Sequence, residues 1–190
     1  MTNQLIMKLI IFISFIFLSS CNTIEQNNQK AKNLYDYDIE QRLDSLGINL
    51  KVPKLPNGIN IALAVKSGNL IYLSGNGPRT NDGVRITGKV GTDLTIEEGY
   101  AAARITAINH IAILKSEIGD LNKVVRIVKV LGMVNADSFF TQQPAVINGY
   151  TDLMVEIFGE RGRHARSAVG MASLPFNLAC EVEAIVQVKD

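Results

Sequence analysis

Between residues 93 and 120 apolar side chains recur at every third or fourth position: Tyr100, Ala103, Ala107, Ile111, Leu114 and Ile118. That spacing predicts an amphipathic helix. Thr95 with Glu98 three residues on forms a capping box at its start, and Gly119 closes it. A second helix is expected within 142–160, where Ile147, Tyr150, Met154 and Ile157 share one face and Gly159 marks its end. Elsewhere the period shortens to two. Val182, Ala184, Val186 and Val188 alternate with Glu181, Glu183, Ile185 and Gln187, so residues 180–188 read as a strand with one apolar face. Residues 61–65 and 70–73 read as two strands joined by Ser67-Gly68-Asn69, and 83–90 as a third short one. The valine- and isoleucine-rich run 123–134 and residues 164–171 complete the set. The order is β-β-β-α-β-α-β-β. This predicts an α+β domain with both helices on one face of a mixed sheet.

The N-terminal quarter has a different character. Lys8 precedes the apolar run Leu9 to Leu18, which is followed by Ser19, Ser20 and Cys21. A basic start, a short apolar core and a small-residue exit make a secretion signal, too short for a comfortable membrane span. The ending Leu18-Ser19-Ser20-Cys21 resembles the bacterial lipoprotein box. That resemblance implies cleavage before Cys21 and acylation of it, which would hold the protein on a membrane. A plain signal peptide or an uncleaved anchor is the alternative. Asn22 favours the outer membrane of a diderm cell, facing the periplasm, over the inner one. Residues 21–56 read as a polar tether with a short helix near Leu43, Leu46 and Ile48, and residues 57–190 as the compact domain. The expected boundaries are therefore 1–20, 21–56 and 57–190.

Composition narrows the function. The chain of 190 residues is 47% hydrophobic and 19% charged, enough for one sizeable core. Its 19 basic and 18 acidic residues nearly cancel, so no general pull towards nucleic acid is expected. Two cysteines and two histidines are too few for a Cys/His metal site at usable spacing, so no such metal site is expected. With Cys21 acylated, Cys180 has no intramolecular partner and reads as a small buried side chain. Gly75-Asn76-Gly77 lacks the third glycine and following helix of a dinucleotide site.

The chemistry concentrates in "RGRHARSAVG", residues 161–170. Arg166 enters an apolar strand, and period two puts it on one face with the small Ala168 and Gly170. Glu181 and Glu183 share a face of the last strand. If the two strands pair as antiparallel neighbours, a guanidinium, a carboxylate and an empty space lie together. Such a pair can hold a substrate carboxylate and a water. The bland alternative is an Arg–Glu pair that knits the sheet or a subunit interface.

The segments "YLSGNGP" (72–78), "GDLNKVVRIVKVLG" (119–132), "QPAVINGYTDLMVEIFGERGRHARSAVG" (143–170) and "LPFNLACEVEAIV" (174–186) resemble the reactive intermediate deaminase family. It is also called Rid or YjgF, and in some descriptions L-PSP endoribonuclease. The likeness runs from about Ile61 to the C-terminus. It implies a chorismate-mutase-like fold and a homotrimer with three inter-subunit clefts. It gives Arg166 the substrate carboxylate and Glu181 the attacking water. It places the Gly75 and Ala168 backbones along the cleft, with Asn148 near it. The implied reaction is cofactor-free hydrolysis of an imine or enamine to a 2-oxo acid and ammonia. Two positions depart from the family pattern: Ile61 stands where active members carry a tyrosine, and Ala168 where a cysteine is frequent. The retained Arg166 and Glu181 support a deaminase. The missing tyrosine supports a non-catalytic, lipid-anchored trimer that binds a small carboxylate metabolite. Ribonuclease activity ranks last, for want of a basic–aromatic strip or a histidine pair. His164 is a secondary candidate for proton transfer beside Arg166. His110 is expected to be a satisfied helix-face histidine, Ser167 has no partner set for a nucleophile, and Arg161 and Arg163 read as loop or interface charges.

Overall fold

The computed structural model describes residues 34–55 and 57–189. The expected signal peptide, Cys21 and the first part of the tether lie outside the described residues. The compact unit runs from Tyr37 to Asp190. It contains helices α1 (Ile39–Ser45), α2 (Ile96–Ile118) and α3 (Gln143–Phe158), and strands β1 (Ala64–Ser67), β2 (Leu70–Asn76), β3 (Val124–Asn135), β4 (Ala165–Met171) and β5 (Cys180–Val188).

The strands form one sheet in the order β1-β2-β5-β3-β4. β5 runs antiparallel to both neighbours, while β3 and β4 are parallel. The parallel pair follows from its connection, because a strand–helix–strand crossover through α3 returns the chain in the same direction. On β5 the alternation expected from the sequence holds. Cys180, Val182, Ala184, Val186 and Val188 are all buried, and the intervening residues are not. The buried face carries α2 and α3, which fill the core with Ile111, Leu114, Ile147, Tyr150 and Leu153.

The ends of α2 follow their local signals. Thr95 accepts from the Glu98 backbone N–H while the Glu98 side chain accepts from that of Thr95, and Gly119 closes the helix at φ 75°. The helices approach closely at Gly149, where an added Cβ would stand 2.0 Å from the Tyr100 carbonyl oxygen.

Three expectations change. Residues 83–90 form no strand. They make only isolated bridges, such as Arg79 with Arg85 and Thr87 with Leu178, because no neighbouring strand offers a continuous ladder. The short helix expected in the tether belongs to the compact unit as α1. Ile39 and Leu43 are buried, the Ile39 N–H donates to Asn122 Oδ1 at 3.0 Å, and Tyr37 donates its hydroxyl to the Ile157 carbonyl at 2.8 Å. Finally, β4 and β5 are not neighbours. β3 lies between them, in register with Arg166 through Val130 and with Glu181 through Met133.

Candidate functional site

The insertion of β3 divides the predicted site residues into two groups within one chain. The first is built where β2 meets β5. The register of this pair shifts between Leu73 and Asn76, and Gly75 sits in that irregularity. Glu181 follows the buried Cys180 on β5, so its side chain leaves the sheet on the face away from the helices. Its carboxylate lies directly against Gly75, where an added Cβ would stand 2.1 Å from Glu181 Oε1. Only a glycine lets the carboxylate rest there. Burial, reinforced by the charge of Glu183, raises the Glu181 carboxyl above the ordinary glutamate range. Glu181 and Gly75 share a cavity of about 210 Å³ with Ile61, Arg79, Arg85 and Phe176.

The second group lies across β3, on the edge strand. Arg166 Nη1 donates to Asn148 Oδ1 at 2.9 Å and to Thr151 Oγ1 at 2.8 Å, and Nη2 reaches the Pro144 carbonyl at 3.5 Å. All three acceptors belong to α3, so Arg166 turns towards the helix layer. Ala168 pairs with Gly132 of β3, and an added Cβ on Gly170 would meet Gln143 Nε2 at 2.8 Å. Partial burial lowers the Arg166 pKa, and Asp152 opposes that shift. The guanidinium nonetheless stays cationic in water. Among the described residues it forms no ion pair with a carboxylate. It is an oriented cation held only by neutral oxygens.

His164 stands behind this group. Its Nδ1 is 2.7 Å from the Gly162 carbonyl and its Nε2 is 3.2 Å from Thr151 Oγ1. A carbonyl only accepts, so Nδ1 carries the proton and Nε2 accepts from the Thr151 hydroxyl. The Thr151 oxygen is then left to accept from Arg166. Burial lowers the His164 pKa, against the Gly162 hydrogen bond, and favours this neutral form. Thr151 is a residue that the sequence reading missed. The available signal was its place three residues after Asn148, on the same helix face.

The remaining candidates are structural. His110 is wholly buried, with Nδ1 2.9 Å from the Tyr150 hydroxyl and Nε2 3.2 Å from the Ser74 carbonyl, next to Gly75. Burial pushes its pKa down to about 4 despite the Ser74 contact. Ser167 accepts from Lys129 Nζ at 3.1 Å. Arg161 is no solvated loop charge, since it donates to the Val125 carbonyl at 2.9 Å, and Arg163 pairs with Glu160 at 3.0 Å. Cys180 is buried, and burial pushes its thiol pKa up to about 12. Among the described residues no group of three or more His, Cys, Asp or Glu side chains converges as metal ligands would.

Residues 40–188 match the sequence profile described as "YjgF/chorismate_mutase-like, putative endoribonuclease". Protein TCP17 of Trypanosoma cruzi is 41% identical over 153 residues, which cover 80% of this chain and 95% of that one. A protein of unknown function from Agrobacterium tumefaciens is 42% identical at a TM-score of 0.73, over 80% of this chain and 92% of its own. A Shewanella oneidensis structure titled a "putative endoribonuclease" is 32% identical at a TM-score of 0.76, over 80% of this chain and all of its own. With the five-stranded mixed sheet and its paired helices, these matches place the chain in the YjgF family, with that family's chorismate-mutase-like fold.

Proposed function

We propose that the protein hydrolyses small 2-imino acids or their enamines, in clefts that a second copy of the chain completes. The observation that carries this reading is the state of Arg166. It is a cation fixed by Asn148, Thr151 and Pro144, with no carboxylate of its own among the described residues. A planar fork held in this way suits bidentate capture of a substrate carboxylate. Within one chain Arg166 and Glu181 lie on separate strands and turn to different faces, which supports a cleft where one copy's arginine meets another copy's glutamate. Three copies closing a ring would give three equivalent clefts.

The chemistry asks little of the protein. The imine carbon is already electrophilic, and positioning supplies much of the rate gain. Arg166 of one copy holds the carboxylate. Glu181, with its raised pKa, accepts a proton from water as the water oxygen bonds to the C=N carbon. The π pair moves to nitrogen, which takes that proton back from Glu181 and gives a carbinolamine. Its hydroxyl proton then passes to the regenerated Glu181 carboxylate, which hands it to the nitrogen as the C–N bond breaks and ammonia leaves. One imine and one water become one 2-oxo acid and one ammonia.

A second reading, a binding module without turnover, is favoured by Ile61. It lines the Glu181 cavity and is 53% exposed, so it offers an apolar surface where active relatives are expected to present a phenol. We also propose that the chain is exported and that Cys21 is acylated, which would place this chemistry at a membrane surface.

The test generates short 2-imino acids in situ with an amino-acid oxidase and follows their loss with full-length protein. Faster loss that disappears in Arg166→Ala, with oligomeric size unchanged, supports the deaminase. No acceleration across several imines, together with Arg166-dependent binding of 2-oxo acids, selects the binding module.

A further inference from the structure

The cavity that holds Glu181 has another end, which imine hydrolysis leaves unused. Lys54, Arg79 and Arg85 line it, against the single carboxylate of Glu181. Arg79 and Arg85 face each other across an antiparallel bridge, closed by the Thr80 N–H to the Val84 carbonyl and the Ile86 N–H to the Pro78 carbonyl. Like charges in opposed positions repel, so such a pair calls for a counterion. The described residues provide none, because neither guanidinium forms an ion pair with a carboxylate there. Arg79 directs one N–H to the Lys54 carbonyl at 2.9 Å. Arg85 lies over the Phe176 ring, 4.4 Å from its centroid. Stacking uses the face of the guanidinium and leaves its N–H edge for another partner.

Phe176 is placed there at a conformational cost. It adopts φ 58° and Asn177 adopts φ 56°, two consecutive left-handed residues, neither of them glycine. Buried Asn135 fixes the turn by donating from Nδ2 to Asn177 Oδ1 at 2.9 Å, and the Gly88 N–H donates to the Asn177 carbonyl at 2.9 Å. Strain of this kind is retained where the surrounding structure over-determines it, commonly at ligand sites. Here it sets an aromatic plate under Arg85 at the cavity wall.

We propose that the ligand of this cavity carries a second anionic group, so that imino and oxo dicarboxylates are preferred over monocarboxylates. The reacting carbon sits by Glu181 and Gly75. The ligand's methylenes pass the apolar wall of Ile61 and Leu178, and its terminal carboxylate lies between Arg79 and Arg85. The site is the one proposed above, but the selectivity is a binding property and does not depend on turnover.

The test compares 2-oxoglutarate with 2-oxovalerate, equal in chain length and differing in the terminal group, by calorimetry on the full-length protein. In parallel, the loss of 2-iminoglutarate is compared with that of 2-iminovalerate. Wild type should favour the dicarboxylate by about tenfold, as charge-assisted contacts at a half-buried site allow, and the preference should shrink with added salt. Arg85→Met should bring the ratio towards one, and Arg85→Lys should keep part of it. A wild-type ratio near one, or a ratio that survives Arg85→Met, overturns the proposal. If Arg85→Met does not fold, the wild-type ratio and Arg85→Lys decide alone. An Arg85-dependent preference in binding without any imine loss removes the deaminase reading and leaves this one. Equal loss of both imines does the reverse.

Discussion

Replacing Gly75 by alanine adds one methyl group at the centre of the site. The new Cβ would stand 2.1 Å from Glu181 Oε1, 3.1 Å from its Cδ and 3.4 Å from its Cγ. Gly75 is not in the left-handed region, so alanine can adopt its backbone without strain. The clash is with the end of a flexible side chain, and Glu181 relieves it by swinging away. The folding cost should stay within about 1 kcal/mol, a Tm change of roughly 2–4 °C for a domain of this size. The functional cost should be larger. A general base moved out of place forfeits about 100-fold in kcat/KM, equivalent to about 2.7 kcal/mol. The assay is imine turnover by Gly75→Ala, Glu181→Gln and the double variant. If the alanine acts only by displacing the carboxylate, the double variant should be no slower than Glu181→Gln alone. A readout independent of turnover is the carboxyl NMR titration of Glu181. Its raised pKa should fall towards the ordinary value of 4.5 once the side chain is pushed into solvent. Wild-type turnover in Gly75→Ala, additive losses in the double variant, or an unmoved titration would each refute the placement of Glu181 against Gly75.

At Gly149 the same substitution should act through stability, because the added Cβ would meet backbone, 2.0 Å from the Tyr100 carbonyl oxygen and 2.8 Å from its carbon. Forcing α2 and α3 apart should cost about 3 kcal/mol, a Tm fall of roughly 6–12 °C, and a shift within 2 °C on thermal unfolding would count against this packing. His110 should give stability a pH dependence. Its folded pKa, pushed down to about 4 by burial, lies below the ordinary 6.5. The folded state then binds fewer protons, and its contribution is full above pH 6.5 and lost as pH falls towards 4. The loss is on the order of 3 kcal/mol. Chemical denaturation across that window should show the slope, and His110→Gln should flatten it, whereas an unchanged slope would assign it to other groups.

Local pattern in the sequence determined most of the elements. A period of three to four residues marked α2 and α3. Thr95, Glu98, Gly119 and Gly159 marked their ends, because capping depends only on groups within a turn of the terminus. Alternation determined which face of β5 is buried. Residues 83–90 misled for the same reason. Their composition suits a strand, but a strand exists only with a partner, and partners are not local. α1 was legible as a helix, while its docking through Asn122 and Ile157 was not, since those contacts lie 83 and 120 residues away in sequence.

The site shows the same division. Arg166, Glu181, Gly75 and Asn148 stood out by residue type and motif, and each retains a defined place in the structure. Their grouping did not follow. The antiparallel pairing imagined for the last two strands is replaced by β3, whose crossover through α3 places it between them. Thr151, and the pairing of Arg79 with Arg85 beside Phe176, emerge only when helix and loops settle on that sheet. The sequence by itself determined the ends of α2 and α3 and the buried face of β5, because periodicity and capping act within a few residues. Only the tertiary structure decided which strands pair and which charges meet, because those choices turn on competition among contacts far apart in the chain.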